Sequence, residues 1–130
     1  MTDPDYTVAA ISEMENFYAG LFLRARSHLD VTSFGLAVVE LEAGSDAHPD
    51  HSHPDQEEVY ITLSGEGILE VEGEKVADLT PETMVRIGPD TKRRIVPTTA
   101  MRLVAIGGTP GKAYEAPGYS EVGAPDPAAG

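Results

Sequence analysis

Histidine and acidic side chains are concentrated in one short stretch of the sequence, HPDHSHPDQEE, which runs from His48 to Glu58. His51 and His53 are separated by one residue, so on an extended strand both imidazoles point to the same face. Glu58 follows five residues after His53, at the start of an apolar run. A strand, a turn and a return strand could bring its carboxylate beside both imidazoles. Two neutral imidazoles and a carboxylate form a facial ligand set that suits iron(II) and that manganese, nickel, copper or zinc can also use.

The same stretch also fits an exposed acidic loop in which the imidazoles have no special role. His48, three residues before His51, lies off the alternating face and is predicted to be a loop residue. Spacing alone leaves both interpretations open, because H-x-H is common in loops. The chain has no cysteine, so a metal would have to be held by imidazole and carboxylate groups.

Composition narrows the classes of partner. The 22 acidic and 9 basic residues give a net charge of -13, and such a surface repels the phosphate backbone of nucleic acids. No apolar run of about 18 residues is present, so no membrane partner is expected. The N-terminus lacks the basic-then-apolar order of a signal peptide. We therefore expect a cytoplasmic protein that binds neither nucleic acid nor a membrane.

The positions of the strands follow from a hydrophobic period of two that begins at Ser33. In SFGLAVVELEAG, Phe34, Leu36 and Val38 alternate with smaller residues, and Gly44 ends the strand. Turn residues recur at intervals of about eight to twelve residues, which is typical of a sandwich or barrel. The fold class predicted from the residues is therefore all-β and antiparallel. Further strands are predicted at 58–63, 67–74, 75–79, 84–87, 94–96 and 101–108.

The two ends of the chain are expected to differ from this β domain, which we place at residues 33–114. Residues 1–32 are predicted to form an extension with at most a short helix, followed by irregular extended chain. Ser12 and Glu15 have the spacing of a capping box there, and four apolar residues could form one helical face: Met14, Phe17, Tyr18 and Leu21. Residues 115–130 are rich in proline and glycine and are predicted to be a tail.

Gly44, the stretch His51–His53, Glu58 and Gly65 resemble the first conserved motif of the cupin superfamily. In that motif a glycine, H-x-H, a glutamate and a second glycine follow one another. Only the gap from Gly44 to the first histidine is one residue longer than usual. The sequence QEEVYITLSGEGILEVEGE is cupin-like beyond these positions, and the resemblance covers about residues 34–108.

The resemblance implies a jelly-roll β-barrel of the small single-domain kind, which often forms homodimers. It also implies that His51, His53 and Glu58 are ligands of a divalent first-row metal ion (Fe, Mn, Ni, Cu or Zn) on the inward face of the barrel. Family members usually complete the site with a histidine from a second motif. In ETMVRIGPDTKRRIVP the residue at that position is Arg93.

Arginine cannot be a metal ligand, because its guanidinium stays protonated and has no lone pair to offer. Two outcomes are therefore open for Arg93. With a metal on three protein ligands, Arg93 would bind the carboxylate or phosphate of a substrate. Alternatively Arg93 pairs with Glu58 and replaces the charge of the metal, because a buried carboxylate needs a compensating cation.

Tyr60 shares the face of Glu58, so its hydroxyl is a candidate acid, base or substrate anchor. Apolar walls are predicted from Phe34, Leu36, Val38, Ile95 and Met101. The resulting hypothesis is a metal-binding small cupin with an inward pocket for a small molecule, which can be an anion, and its chemistry would be that of an oxygenase or isomerase. The alternative is a non-catalytic binding or sensor cupin, with or without a metal, so whether the chain is an enzyme stays open.

Overall fold

The structure is a computed structural model that describes residues 4–18, 21–46, 48 and 50–117. Its regular elements are mostly strands. In chain order they are a 3-10 turn at Ile11–Glu13, β1 (Asn16–Tyr18), β2 (Phe22–Leu23), α1 (Ala25–Leu29), β3 (Gly35–Leu41), β4 (Glu57–Ser64), β5 (Gly67–Val71), β6 (Glu74–Leu79), β7 (Met84–Ile87), β8 (Arg93–Pro97) and β9 (Met101–Gly108).

The strands form two antiparallel sheets. The larger has the order β1-β2-β3-β9-β4-β7 and the smaller has the order β6-β5-β8. One face of each sheet is apolar, and the two faces pack on a common core that includes Leu69 of β5, Leu79 of β6, Ile95 of β8 and Leu103 of β9. Every strand predicted from the period of two is present, since alternating burial is what that period encodes.

The N-terminal region differs from the helix expected between Ser12 and Leu21. Phe17 and Tyr18 belong to β1, and both rings pack on Phe22 of β2 at centroid distances of 5.8 and 5.2 Å. Aromatic side chains favour such a pleated, half-buried surface. The short helix of this region is α1, and the first two strands extend the larger sheet.

The assignment of faces on β3 was wrong. Phe34 is 41% exposed, and Leu36 and Val38 pack on the outside of the sheet in a small cluster with Ala25. The opposite face, which includes Val39, enters the main core. Both faces of β3 are covered, because α1 and the N-terminal segment lie on the outer one, so apolar alternation could not distinguish inside from outside. Ile95 and Met101 do lie in the core, as predicted.

After β9 the chain is fastened to the start of β4. Gln56 donates hydrogen bonds from Nε2 to Thr109 Oγ1 at 2.9 Å and to the backbone carbonyl of Glu115 at 3.0 Å, and the Glu115 N–H donates to Thr109 Oγ1 at 3.0 Å. The predicted tail beyond Pro117 lies outside the described residues, and the division at 33–114 stays a prediction. Within the described ranges no helix has the length and apolarity needed to cross a membrane.

Candidate functional site

Strand β4 carries a row of polar side chains into the interior. Gln56, just before the strand, and then Glu58, Tyr60 and Thr62 are buried, with exposures of 3%, 1%, 1% and 2%. The residues between them point outward, as the period of two requires. Glu57 accordingly forms an ion pair with Arg86 on the outer surface. The prediction that Tyr60 shares the face of Glu58 is confirmed, and Thr62 lies on the same face.

The H-x-H segment lies beside β8. His51 and Arg93 are antiparallel bridge partners, joined by reciprocal N–H to carbonyl bonds of 3.0 and 2.9 Å. The carbonyl of His53 accepts a bond of 3.0 Å from the N–H of Asp90. Both imidazoles are 2% exposed, and their ring centroids are 5.0 Å apart. These backbone bonds turn both histidines into the interior, so the exposed-loop interpretation is wrong.

The centre of the site is an ion pair between Glu58 and Arg93. Arg93 donates from one terminal nitrogen to Glu58 Oε1, and both side chains are fully buried. Tyr60 links the two, because its hydroxyl donates to the same Oε1 at 3.2 Å and accepts from Arg93 Nε at 3.3 Å. The remaining terminal nitrogen of Arg93 donates to the carbonyl of Thr91 at 3.3 Å. Each nitrogen of the guanidinium thus has a partner inside the protein.

His48, which was predicted to be a loop residue, belongs to the site. It is fully buried, and its ring lies 5.2 Å from that of His51 and 5.9 Å, edge to face, from that of Tyr60. Its Nδ1 accepts a hydrogen bond of 3.2 Å from the backbone N–H of Ile95. No periodic signal could have found His48, because it lies on irregular chain between strands. We call the set His48, His51, His53, Glu58, Tyr60 and Arg93 the polar cluster.

The environment of His48 keeps its imidazole neutral. Burial is the largest cause that lowers the pKa of His48 well below its usual range, and the nearby charges of His51 and Arg93 lower it further. Because a backbone N–H can only donate, Nδ1 of His48 carries the lone pair and the proton of the neutral ring lies on Nε2. His48 therefore presents an N–H donor to the interior.

Several buried polar atoms of the site have no hydrogen-bond partner within the described part of the chain. They are Nε2 of His48, Oε1 of Gln56, Oε2 of Glu58 and Oγ1 of Thr62. Buried polar groups are normally paired, and leaving one unpaired costs about 1–3 kcal/mol. Such a concentration of unsatisfied groups on one inward face is typical of a ligand-binding site.

The sequence places this site in a known family. Residues 37–107 match the cupin domain family. The chain is a cupin. A search among curated proteins finds no match. The family match and the two antiparallel sheets confirm the predicted all-β jelly-roll fold. All residues of the polar cluster lie inside the matched region.

Three solved structures illustrate the likeness. A cupin protein from Bacteroides fragilis superposes with a TM-score of 0.70 and 25% identity, over 87% of this chain and 92% of that one. Ectoine synthase from P. lautus has a TM-score of 0.65 and 20% identity, over 80% of this chain and 78% of that one. A predicted oxalate decarboxylase from Thermotoga maritima has a TM-score of 0.62 and 19% identity, over 79% and 99%. The last two likenesses show the fold alone.

As placed here, the residues of the polar cluster do not fit a divalent metal ion. Within residues 4–18, 21–46, 48 and 50–117, no three His, Asp or Glu side chains are arranged to hold one. The carboxylate of Glu58 is engaged by the guanidinium of Arg93, whose positive charge repels a second cation at the same oxygen. His48 offers N–H rather than a lone pair. The assignment of His51, His53 and Glu58 as metal ligands stays a prediction.

Proposed function

We propose that this cupin binds a small molecule at the polar cluster and does so without a metal ion. One observation carries the proposal: the Glu58–Arg93 ion pair, fully buried and joined through the Tyr60 hydroxyl. A buried carboxylate needs a compensating cation. A divalent metal and a guanidinium both supply one, and the contact between Arg93 and Glu58 supports the guanidinium here.

In this proposal the Tyr60 hydroxyl positions the two charged groups, and Glu58 contacts the ligand. Arg93 acts through Glu58, because its nitrogens already donate to Glu58, Tyr60 and Thr91. Neither a nucleophile nor a second acid–base pair accompanies the ion pair among the described residues of the cluster. A binding or sensor role is therefore favoured over catalysis.

Metal analysis and chelation test the proposal. Protein purified without chelator is expected to carry a first-row metal only far below one equivalent, and EDTA is expected to leave its melting temperature unchanged. A stoichiometric metal ion whose removal by EDTA lowers the melting temperature would contradict it.

A metal-dependent oxygenase or isomerase is the second candidate, and the observation that favours it is the pair of buried imidazoles of His51 and His53, 5.0 Å apart. On this alternative Arg93 leaves Glu58 when metal binds, and Tyr60 serves as acid, base or substrate anchor. Loss of a bound metal in both His51→Ala and His53→Ala would support it.

We propose further that two copies of this chain form a homodimer. The outer face of the larger sheet is apolar where β4, β7 and β9 adjoin: Ile61 pairs with Met84 and Val104, and Leu63 and Met84 are 45% and 63% exposed. An exposed apolar sheet face favours association with a like face across a two-fold axis. Light scattering is expected to give a dimer for the native chain and a monomer for Met84→Glu. A native monomer would contradict this proposal.

A further inference from the structure

The charge of the polar cluster restricts what it can bind. The charges of Arg93 and Glu58 compensate one another in a fully buried ion pair. His48 uses the lone pair of Nδ1 to accept from the Ile95 N–H, so its ring carries a proton on Nε2 alone. An anion would have to compete with Glu58 for the guanidinium, and a cation would have to compete with Arg93 for the carboxylate. Burying an uncompensated charge is costly, so the cluster favours an uncharged ligand.

The hydrogen-bonding capacity that remains in the cluster is of two kinds. Glu58 Oε2 is a buried acceptor, and His48 Nε2 is a buried donor, and neither has a partner within the described residues. Glu58 is 1% exposed and His48 is fully buried. A ligand that pairs both atoms must donate to one and accept from the other. A hydroxyl group does both, and two neighbouring hydroxyls can serve the two atoms at once.

On the side of β9, the sheet beside Glu58 and Tyr60 carries only very small side chains. Gly107 is the cross-strand neighbour of Glu58, and Ala105 is that of Tyr60. One strand further, Gly35 pairs with Gly107 and Ala37 with Ala105. All four are buried, and they share the inward face with Glu58 because paired residues of an antiparallel sheet point to the same side. We call these four residues the small-residue wall, because their side chains take up little volume on the inward face beside β4.

We infer that the ligand of the polar cluster is an uncharged, hydroxyl-bearing small molecule, of the vicinal diol or polyol class, held between Glu58 Oε2 and His48 Nε2–H against the small-residue wall. This inference rests on the proposed function and names its ligand class. It replaces the anionic ligand that the sequence suggested for Arg93. Glu58, His48 and Gly107 are the residues that select the ligand.

A matched panel of diols and carboxylates tests the ligand class on the full chain. The diols are propane-1,2-diol, glycerol and erythritol, and the carboxylates are lactate and glycerate, each titrated with EDTA present and followed by amide and imidazole nitrogen NMR. The diols are expected to shift the signals of His48 and Glu58 and to bind at least about tenfold more tightly than the carboxylates. Carboxylates that bind as tightly as diols would overturn the inference and leave the proposed function intact. If neither series binds without a metal, both fail.

Two pairs of variants separate ligand contact from folding. Gly107→Ala adds a methyl group to the small-residue wall and is expected to weaken diol binding about tenfold. Gly108→Ala adds the same methyl group on the opposite face, where nothing lies within 4 Å, and is expected to bind normally. Equal binding by these two variants would overturn the placement of the ligand.

Glu58→Gln leaves the guanidinium of Arg93 without its carboxylate, so this variant is expected to reverse the preference and bind lactate more tightly than propane-1,2-diol. Glu57→Gln, one position away on the outer face, is expected to retain the native preference. This change of ligand preference tests the inference even if Gly107→Ala does not fold. A Glu58→Gln protein that folds and still prefers the diol would count against the inference.

Discussion

At the scale of single residues, position 93 determines what kind of centre the interior can hold. Histidine there would offer a lone pair to a cation, whereas arginine brings a fixed positive charge of its own. In this cupin Arg93 pairs with Glu58 inside the barrel. Removing one partner of such a buried pair typically costs about 3–5 kcal/mol, since the other charge is left uncompensated. The ion pair is therefore the polar centre of the site, and loss of either partner is expected to lower the stability of the folded chain.

Arg93→His is expected to convert the polar cluster into a metal site. The new imidazole would face Glu58 with His51 and His53 nearby, and Glu58 would be released from its ion pair. We expect about one equivalent of zinc or manganese by elemental analysis, and a stabilisation of roughly 2.7 kcal/mol when the free metal exceeds its dissociation constant a hundredfold. Arg94→His is the control, because Arg94 is only partly buried and has the opposite parity on β8. Equal metal uptake by both variants would show that position 93 is not the determinant.

His48 is expected to make the folded state sensitive to mild acid. Since its pKa is lowered by burial and by His51, Arg93 and Arg94, the unfolded chain takes up a proton near pH 6.5 that the folded chain does not. The free energy of unfolding therefore falls as the pH drops below about 6.5, by at most roughly 1.4 kcal/mol between pH 7.5 and 5.5. His48→Asn keeps an acceptor for the Ile95 N–H but does not titrate. Urea denaturation of this variant is expected to lose less stability over that pH range, and an equal loss would contradict the role of His48.

At the scale of elements, the hairpin that joins β4 to β5 fixes the register of β4 against β9, and with it the positions of the polar side chains of β4. Gly65 lies in this turn with a φ of +81°, a conformation that side chains other than glycine rarely adopt. A Cβ at Gly65 would overlap the carbonyl of Ala100 and lie 2.9 Å from Cα of Met101. The turn therefore packs directly on the backbone that leads into β9, and this contact fixes where β4 lies against β9.

Gly65→Ala is expected to cost roughly 3 kcal/mol of stability, the sum of backbone strain and a clash that only backbone movement can relieve. Gly44→Ala is the matched control. Gly44 has a similar φ of +71°, but nothing lies within 4 Å of its added Cβ, so about 1 kcal/mol is expected. Thermal or urea unfolding of both variants measures the difference. Similar losses would show that the close approach to Ala100 does not matter.

At the scale of the whole molecule, Gln56 connects the start of β4 to the segment that follows β9. Its Nε2 reaches Thr109 and Glu115, residues 53 and 59 positions away in the sequence. The start of β4 and the end of the described chain are thereby held together at the end of the barrel that carries Glu58. The segment is also in contact with the N-terminal region, where Arg26 lies over the ring of Tyr114 at 5.6 Å.

Gln56→Leu is expected to release this segment, because it removes the donor to Thr109 and Glu115. The barrel is expected to stay folded, because leucine fills a similar volume with apolar atoms. Lys112, which is exposed, should then be cleaved by trypsin several-fold faster than in the native chain. Arg102, paired with Glu40 within the sheet at 3.0 Å, should stay protected in both proteins. Unchanged cleavage at Lys112 would show that Gln56 does not hold the segment.

The sequence by itself determined the parts of this protein that depend on local order along the chain. Alternation predicted the strands from β3 to β9, and spacing placed Glu58 and Tyr60 on one face. The resemblance of the H-x-H and glutamate positions predicted the cupin fold. Each of these signals lies within a few residues, where strand geometry alone relates one side chain to the next.

The tertiary structure alone decided which residues meet across the barrel. The contact of Arg93 with Glu58 joins residues 35 positions apart, and that of His48 with Ile95 joins residues 47 apart. The sequence left the first as one of two outcomes and missed the second. It also assigned the wrong face of β3 to the interior, since both faces are apolar and only the packing of α1 distinguishes them. Charge compensation and burial are properties of groups brought together from distant parts of the chain, so no local pattern encodes them.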